Sequence, residues 1–121
     1  MIRSTLAICV LFLFTGCVSG PPQLELLVSG PPGVAYTANY EVGGLSGSFK
    51  SATSGRGFDA FLNIPAGDGH CEVIKDRPTD ALSVVVAERN PTQRLNGFVP
   101  SGTRAIRFIR ETGVWRLELL P

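Results

Sequence analysis

At 121 residues, 44% of them hydrophobic, the chain supports one small core and not two. Its formal net charge of +1, from 11 basic and 10 acidic residues, argues against nucleic acid or an anionic membrane surface as partner, since either favours a basic face or stripe. Apart from Arg3, every charged side chain lies beyond the first sixteen residues, so the remainder is close to neutral.

The chain opens with Arg3 and a free amino terminus, runs through uninterrupted apolar residues from Leu6 to Phe14, and reaches the small residues Thr15 and Gly16 just before Cys17. This order is that of an export signal. At ~1.5 Å per residue the apolar run covers under half of a ~30 Å hydrocarbon core, too little for a membrane-spanning helix.

Phe14-Thr15-Gly16-Cys17 resembles the lipobox of bacterial lipoprotein signal peptides, with Phe14 where leucine is commonest. The resemblance implies cleavage between Gly16 and Cys17, a diacylglyceryl group on the Cys17 thiol, and often a further acyl chain such as palmitate on the new amino group. Two or three acyl chains hold a soluble domain stably on a bilayer, because each buried methylene contributes ~0.8 kcal/mol. Val18, rather than aspartate, follows the cysteine, which in diderm bacteria resembles the class sent to the outer membrane; in a monoderm the destination is the cell membrane. The alternative is an ordinary secretory signal cut near Ala7 or Gly20, with Cys17 incidental.

With residues 1–16 as signal, residues 17–23 read as a tether, its Pro21-Pro22 extended and its Ser19-Gly20 loose. A single domain is expected over 24–121. Its first strand carries Leu24, Leu26 and Val28 on one face. From Val34 to Val42 the period is two: Val34, Tyr36, Ala38, Tyr40 and Val42 alternate with Ala35, Thr37, Asn39 and Glu41, a pattern no helix reproduces. Residues 43–48 and 51–57, rich in Gly and Ser, read as a mobile loop or an irregular edge hairpin. Phe58, Ala60, Leu62 and Ile64 are expected on one strand face, closed by the turn Pro65-Ala66-Gly67-Asp68-Gly69.

Further on, Leu82 to Ala87 is β-branched and reads as a central strand buried on much of both faces. Ala105 to Arg110 and Val114 to Leu120 flank Glu111-Thr112-Gly113 as a hairpin, with Trp115, Leu117 and Leu119 facing one way. Trp115 is expected to be the largest single contributor to the core. With no capped helical periodicity and with turn residues every eight to twelve positions, the expected fold is all-β, a small antiparallel β-sandwich. Gly57 to Gly67 is similar to the strand and Pro-Ala-Gly turn of transthyretin-like and carboxypeptidase-regulatory-like sandwiches, a resemblance that implies fold and no activity.

Residues for chemistry are few. His70 is the sole histidine, and no Gly-x-Ser-x-Gly elbow, His-Glu-x-x-His helix or phosphate-cradling loop is present. A catalytic role is not expected. Asp68, His70 and Glu72 are the clustered metal-ligand candidates, on one strand face by their alternate spacing, although a solvated polar face beside a turn is the simpler reading. Asp76 and Asp80 give a weak calcium signal. Arg104 and Arg110 share a pleat face opposite Arg107, so a clustered arginine patch is not expected. Cys71 reads as a small buried hydrophobe or as a thiol pairing between chains, and it faces away from His70. Tyr36 and Tyr40 point inward.

The expectation is thus a non-enzymatic envelope lipoprotein without cofactor. Acyl chains on Cys17 hold it to the membrane, and an envelope protein partner is engaged by its β-sandwich, an open edge strand being the cheapest device. The alternative is a secreted or surface module that binds a small ligand or metal around Asp68, His70 and Glu72.

Overall fold

The computed structural model describes residues 23–89 and 93–121. Nine strands fill these residues: β1 (Gln23–Ser29), β2 (Ala35–Val42), β3 (Leu45–Ala52), β4 (Asp59–Pro65), β5 (Gly69–Lys75), β6 (Leu82–Arg89), β7 (Gln93–Val99), β8 (Ala105–Glu111) and β9 (Val114–Leu120). They form two antiparallel sheets, one ordered β9-β8-β5-β2-β3 and the other β4-β1-β6-β7. The expected all-β sandwich is the architecture found. The expected signal peptide over 1–16, Cys17 and the rest of the expected tether before Gln23 lie outside the described residues, and Gln23 itself opens β1.

The period-two alternation becomes inside and outside. Leu24, Leu26 and Val28 of β1 join Val84 and Val86 of β6 to face Tyr36, Ala38, Cys71, Val73, Ile106 and Phe108 across the sandwich, and all are buried. Tyr36 and Phe108 head the fully buried side chains by size. Trp115 does not; on the edge strand β9 it is only half-buried against the core. An edge position leaves one flank of the indole without a neighbouring strand, which corrects the expected ranking.

The stretch expected as a mobile loop or an irregular edge hairpin is an edge hairpin, and its second arm is a regular strand. Gly43 (φ 58°) and Gly44 (φ 85°) form a two-residue turn, the left-handed pair that a tight hairpin demands. Strand β3 then pairs with β2 in unbroken register from Val42↔Leu45 to Ala35↔Ala52. Its glycine has a use: a Cβ on Gly47 would sit 2.6 Å from the Tyr40 hydroxyl oxygen and 2.7 Å from its ring carbons, so the bare backbone is the bed of the Tyr40 ring.

A second correction concerns β4. Against β1, the register passes from Leu26↔Leu62 to Leu27↔Ala60, which leaves one extra residue in β4. A bulge of this kind flips every side chain beyond it to the other face. Leu62 and Ile64 therefore pack inward as expected, whereas Ala60 and Phe58 are exposed.

Polar groups close the two ends of the core. At one end Glu88, 2% exposed, accepts a two-pronged hydrogen bond from Arg110 (Nε 3.0 Å, Nη2 3.2 Å) and a third from the Trp115 indole at 2.8 Å. This staple ties the four-stranded sheet to β8 and β9. At the other end the buried Lys75 ammonium donates to the carbonyl oxygens of Pro78, Asp80 and Pro100. All three donors are thereby used. Burial holds the Lys75 pKa below the usual lysine range, against the opposing pull of Asp80.

Candidate functional site

The sandwich offers two outer faces of contrasting chemistry. On the five-stranded sheet, register places Ser48, Asn39, Glu72, Arg107 and Glu118 in one row across five strands. Each is bonded to the next. Ser48 Oγ donates to Asn39 Oδ1 (2.6 Å), Asn39 Nδ2 to Glu72 Oε2 (3.2 Å), Arg107 Nη2 to Glu72 Oε1 (3.0 Å), and Arg107 Nη1 to Glu118 Oε1 (3.5 Å). Lys50 and Thr37 make a further cross-strand bond at 3.1 Å. Cross-strand pairs of this kind stabilise a sheet locally and leave few polar groups over for a ligand.

The three metal-ligand candidates fall within or beside this belt but do not converge. Glu72 is held by Arg107 and Asn39. Asp68 precedes β5 and turns towards the β8–β9 hairpin, where its carboxylate accepts from the Thr112 amide (3.0 Å), the Gly113 amide (3.1 Å) and Arg110 Nη1 (2.8 Å). Those bonds, led by the Gly113 amide, hold the Asp68 pKa below the ordinary carboxylate value. They also support Thr112, whose φ of 52° is uncommon outside glycine. The expected shared strand face for all three is corrected: only His70 and Glu72 share it. His70 lies with Arg107 and Ile109 around a depression of about 300 Å³. Among the described residues, no group of three or more His, Cys, Asp or Glu is arranged to hold a metal ion.

Other candidates resolve into structural roles. Asp80 pairs with Arg77 at 3.3 Å across a turn. Arg104, Arg107 and Arg110 are spread over different partners, Arg104 reaching the Pro121 carbonyl at 3.3 Å. Cys71 is fully buried, and desolvation pushes its thiol pKa up to about 12. That favours the reading as a core hydrophobe over a reactive thiol. Tyr36 is inward, its hydroxyl pushed up to about 12 by burial against the lowering hydrogen bond from Ser51.

The four-stranded sheet differs. A groove of about 330 Å³ on its outer face is lined by Phe58, Ser83, Val85, Arg94, Asn96 and Phe98, with the Gly97 backbone between the last two. Phe58 is 48% and Phe98 57% exposed, while Val85 at 3% forms an apolar floor. Among the described residues, Ser83, Arg94 and Asn96 have no side-chain hydrogen bond or ion pair. One cation and no acid line the groove. It is the place on the described surface where exposed aromatic rings and uncommitted polar groups meet.

Two features of the chain build it. The bulge in β4 delivers Phe58 to the outer face, and the alternation of β7 sends Arg94, Asn96 and Phe98 outward while Leu95 and Val99 turn in. Gly97 lets β7 lie close: a Cβ there would meet Ile106 Cδ1 at 2.2 Å and Phe108 Cζ at 3.2 Å. Val85 was expected in the strand buried on much of both faces, Phe58 was expected inside, and Arg94, Asn96 and Phe98 did not stand out in the sequence. The available signal was Arg94, Asn96 and Phe98 at alternate positions, broken by a glycine that hides the apolar half of the pattern.

Comparisons with protein-family models, with curated proteins and with solved structures found no match to this chain. The chemistry of the groove has to come from its own residues.

Proposed function

We propose that the protein is a lipid-anchored envelope lipoprotein whose β-sandwich acts by binding and not by catalysis. The observation that carries this reading is Phe14-Thr15-Gly16-Cys17 at the end of the apolar run of an export signal, which resembles a lipobox with Phe14 in place of the commoner leucine. Acyl chains on Cys17 supply the membrane attachment. Since β1 opens at Gln23, six residue steps from Cys17, the sandwich is tethered within about 20 Å of the bilayer surface. An outer membrane location follows in a diderm cell, where Val18 favours onward transport.

Binding is supported by the contrast between the faces. The row from Ser48 to Glu118 on the five-stranded sheet is bonded side chain to side chain, whereas the groove on the four-stranded sheet keeps two exposed phenyl rings and three polar side chains without partners among the described residues. Exposed apolar surface rimmed by polar groups is what a recognition site presents. The partner is accordingly sought at this face in the envelope.

Intact mass spectrometry of the protein from its native envelope, beside a Cys17→Ser variant, tests the anchor. Expected is a mass for residues 17–121 plus two or three acyl chains, lost in the variant together with membrane fractionation. An unmodified chain in the soluble fraction would remove the lipoprotein reading.

A further inference from the structure

The groove deepens that reading, on whose envelope location the choice of ligand rests. From its lining we infer that the groove between Phe58 and Phe98 binds an acidic saccharide, a sugar ring stacking on the phenyl faces with its hydroxyls on Ser83 and Asn96 and its carboxylate on Arg94.

Size comes first. A volume of about 330 Å³ lies at the lower end of small-ligand sites of ~300–1,000 Å³. One or two sugar rings suit such a groove.

Chemistry comes second. A pyranose is apolar on the faces that carry its C–H bonds and polar around its rim, so it needs aromatic walls and hydrogen-bonding groups at alternate places. Phe58 and Phe98 provide the walls, and the nearly buried Val85 gives the floor an apolar surface. The Asn96 amide both donates and accepts, and the Ser83 hydroxyl does the same. Arg94 lines the groove with no ion pair among the described residues, and the acid in its row, Glu25 beyond Ala87, is paired with Arg89. The charge complement of such a site is an anion, and guanidinium is the group that takes a carboxylate with two parallel bonds.

Position comes third. Phe98 pairs with Ser83, which pairs in turn with Ser29 at the end of β1 opposite Gln23. At ~3.4 Å per residue, the length of β1 puts about 20 Å between the chain's entry to the sheet and this row. The aromatic rims therefore sit at the end of the sheet opposite the chain's entry at Gln23, which on the proposed attachment at Cys17 is the end farther from the point of attachment and open to a glycan polymer of the envelope. Exposed phenylalanines near the anchored end would have pointed to lipid instead.

The test uses the full chain, purified in detergent, with a glucuronic acid-containing disaccharide and a neutral disaccharide as probes. Saturation-transfer NMR reads which sugar protons touch the protein, and calorimetry reads the affinity. Expected is transfer to the C–H protons of the acidic sugar, and binding weakened about three- to tenfold by Phe58→Ala or Phe98→Ala, the worth of an aromatic contact. Arg94→Gln should erase the preference for the acidic over the neutral probe. Because all three side chains are on the surface, unchanged melting temperatures keep loss of binding separate from loss of fold.

The inference is overturned if neither saccharide responds, if both bind equally to the wild-type chain, or if the phenylalanine variants bind as the wild type does. It is also overturned if an acidic peptide competes for the groove more strongly than the saccharide, or if brominated phospholipid vesicles quench a tryptophan introduced by Phe98→Trp, which would assign the rims to a membrane. The anchor is judged separately by mass: saccharide binding by an unacylated protein retains the groove and removes the lipoprotein, and the converse removes the groove alone.

Discussion

The two outer faces are made from the same repeating backbone, yet their polar side chains are used differently. On the five-stranded sheet, the row from Ser48 to Glu118 is bonded side chain to side chain. On the four-stranded sheet, Arg94 and Asn96 stand on β7 at alternate positions without side-chain partners among the described residues, flanked by exposed phenyl rings. The difference teaches that counting charged residues is a poor guide to a binding face. The more charged face is the one that carries a row of groups already bonded to one another.

The comparison depends on the two sheets being held as one body, and Glu88 is the residue that joins them beside Trp115 and Arg110. Glu88→Ala leaves the Arg110 guanidinium without its inner partner, a change that costs about 3–5 kcal/mol for a buried pair. Urea denaturation should show a larger loss for this variant than for changes at Gly97, Glu72, Asp68 or Phe98, and a loss under about 1 kcal/mol, the range of an exposed pair, would mean that the staple is incidental. Gly97→Ala comes next. Its added methyl must displace Ile106 Cδ1 from 2.2 Å, and overpacking of this sort costs about 1–3 kcal/mol. That substitution also presses β7 outward, so the groove should lose affinity along with stability.

The fold was legible where side chains alternate cleanly, as from Val34 to Val42 in β2 and along β6, because a period of two leaves a helix no competing pattern. Three elements escaped for different physical reasons. The regularity of strand β3 was hidden by serines and glycines, which left a loop or an irregular edge hairpin open, since an edge strand needs little apolar content and Gly47 is reserved for the Tyr40 ring. Strand β7 was hidden by Gly97, which leaves its inner face short of apolar residues. Phe58 was assigned to the wrong side because a single extra residue in β4 reverses orientation, and a bulge has no signature in periodicity. Glu88 was overlooked for a related reason: a buried carboxylate is recognisable only with its partners, which come from strands distant in sequence.

The belt on the five-stranded sheet should prove cheap to break. Glu72→Ala removes partners from Arg107 and Asn39, but Arg107 is 37% exposed, and solvent screening limits such a pair to about 1 kcal/mol or less. Raising salt should shrink the difference between variant and wild type in a chemical melt. A salt-independent loss would show packing rather than charge to be responsible.

Asp68 gives a pH signature without a large energy. Its folded pKa is depressed, so its contribution is present above the unfolded carboxylate pKa and is lost as pH falls through the lower folded value. Asp68→Asn should therefore flatten the acid side of the stability profile, read by denaturation from neutral pH downward. An unchanged acid limb would mean that the hairpin amides of Thr112 and Gly113 do not need the charge.

The smallest expected effect on stability belongs to Phe98→Ala, within about 0.5 kcal/mol, because exposed side chains away from special features contribute little to folding. On ligand binding the same substitution should have the largest consequence. That opposition makes Phe98 the most direct probe of which face is open. The measurement is calorimetric titration of the full chain with the glucuronic acid-containing disaccharide, for wild type, Phe98→Ala and Glu72→Ala, with the melting temperature of each recorded. Expected is weakened binding in Phe98→Ala at unchanged melting temperature, and intact binding in Glu72→Ala at slightly lowered melting temperature. Binding weakened by Glu72→Ala and untouched by Phe98→Ala would place recognition on the five-stranded sheet and contradict the assignment of the open face.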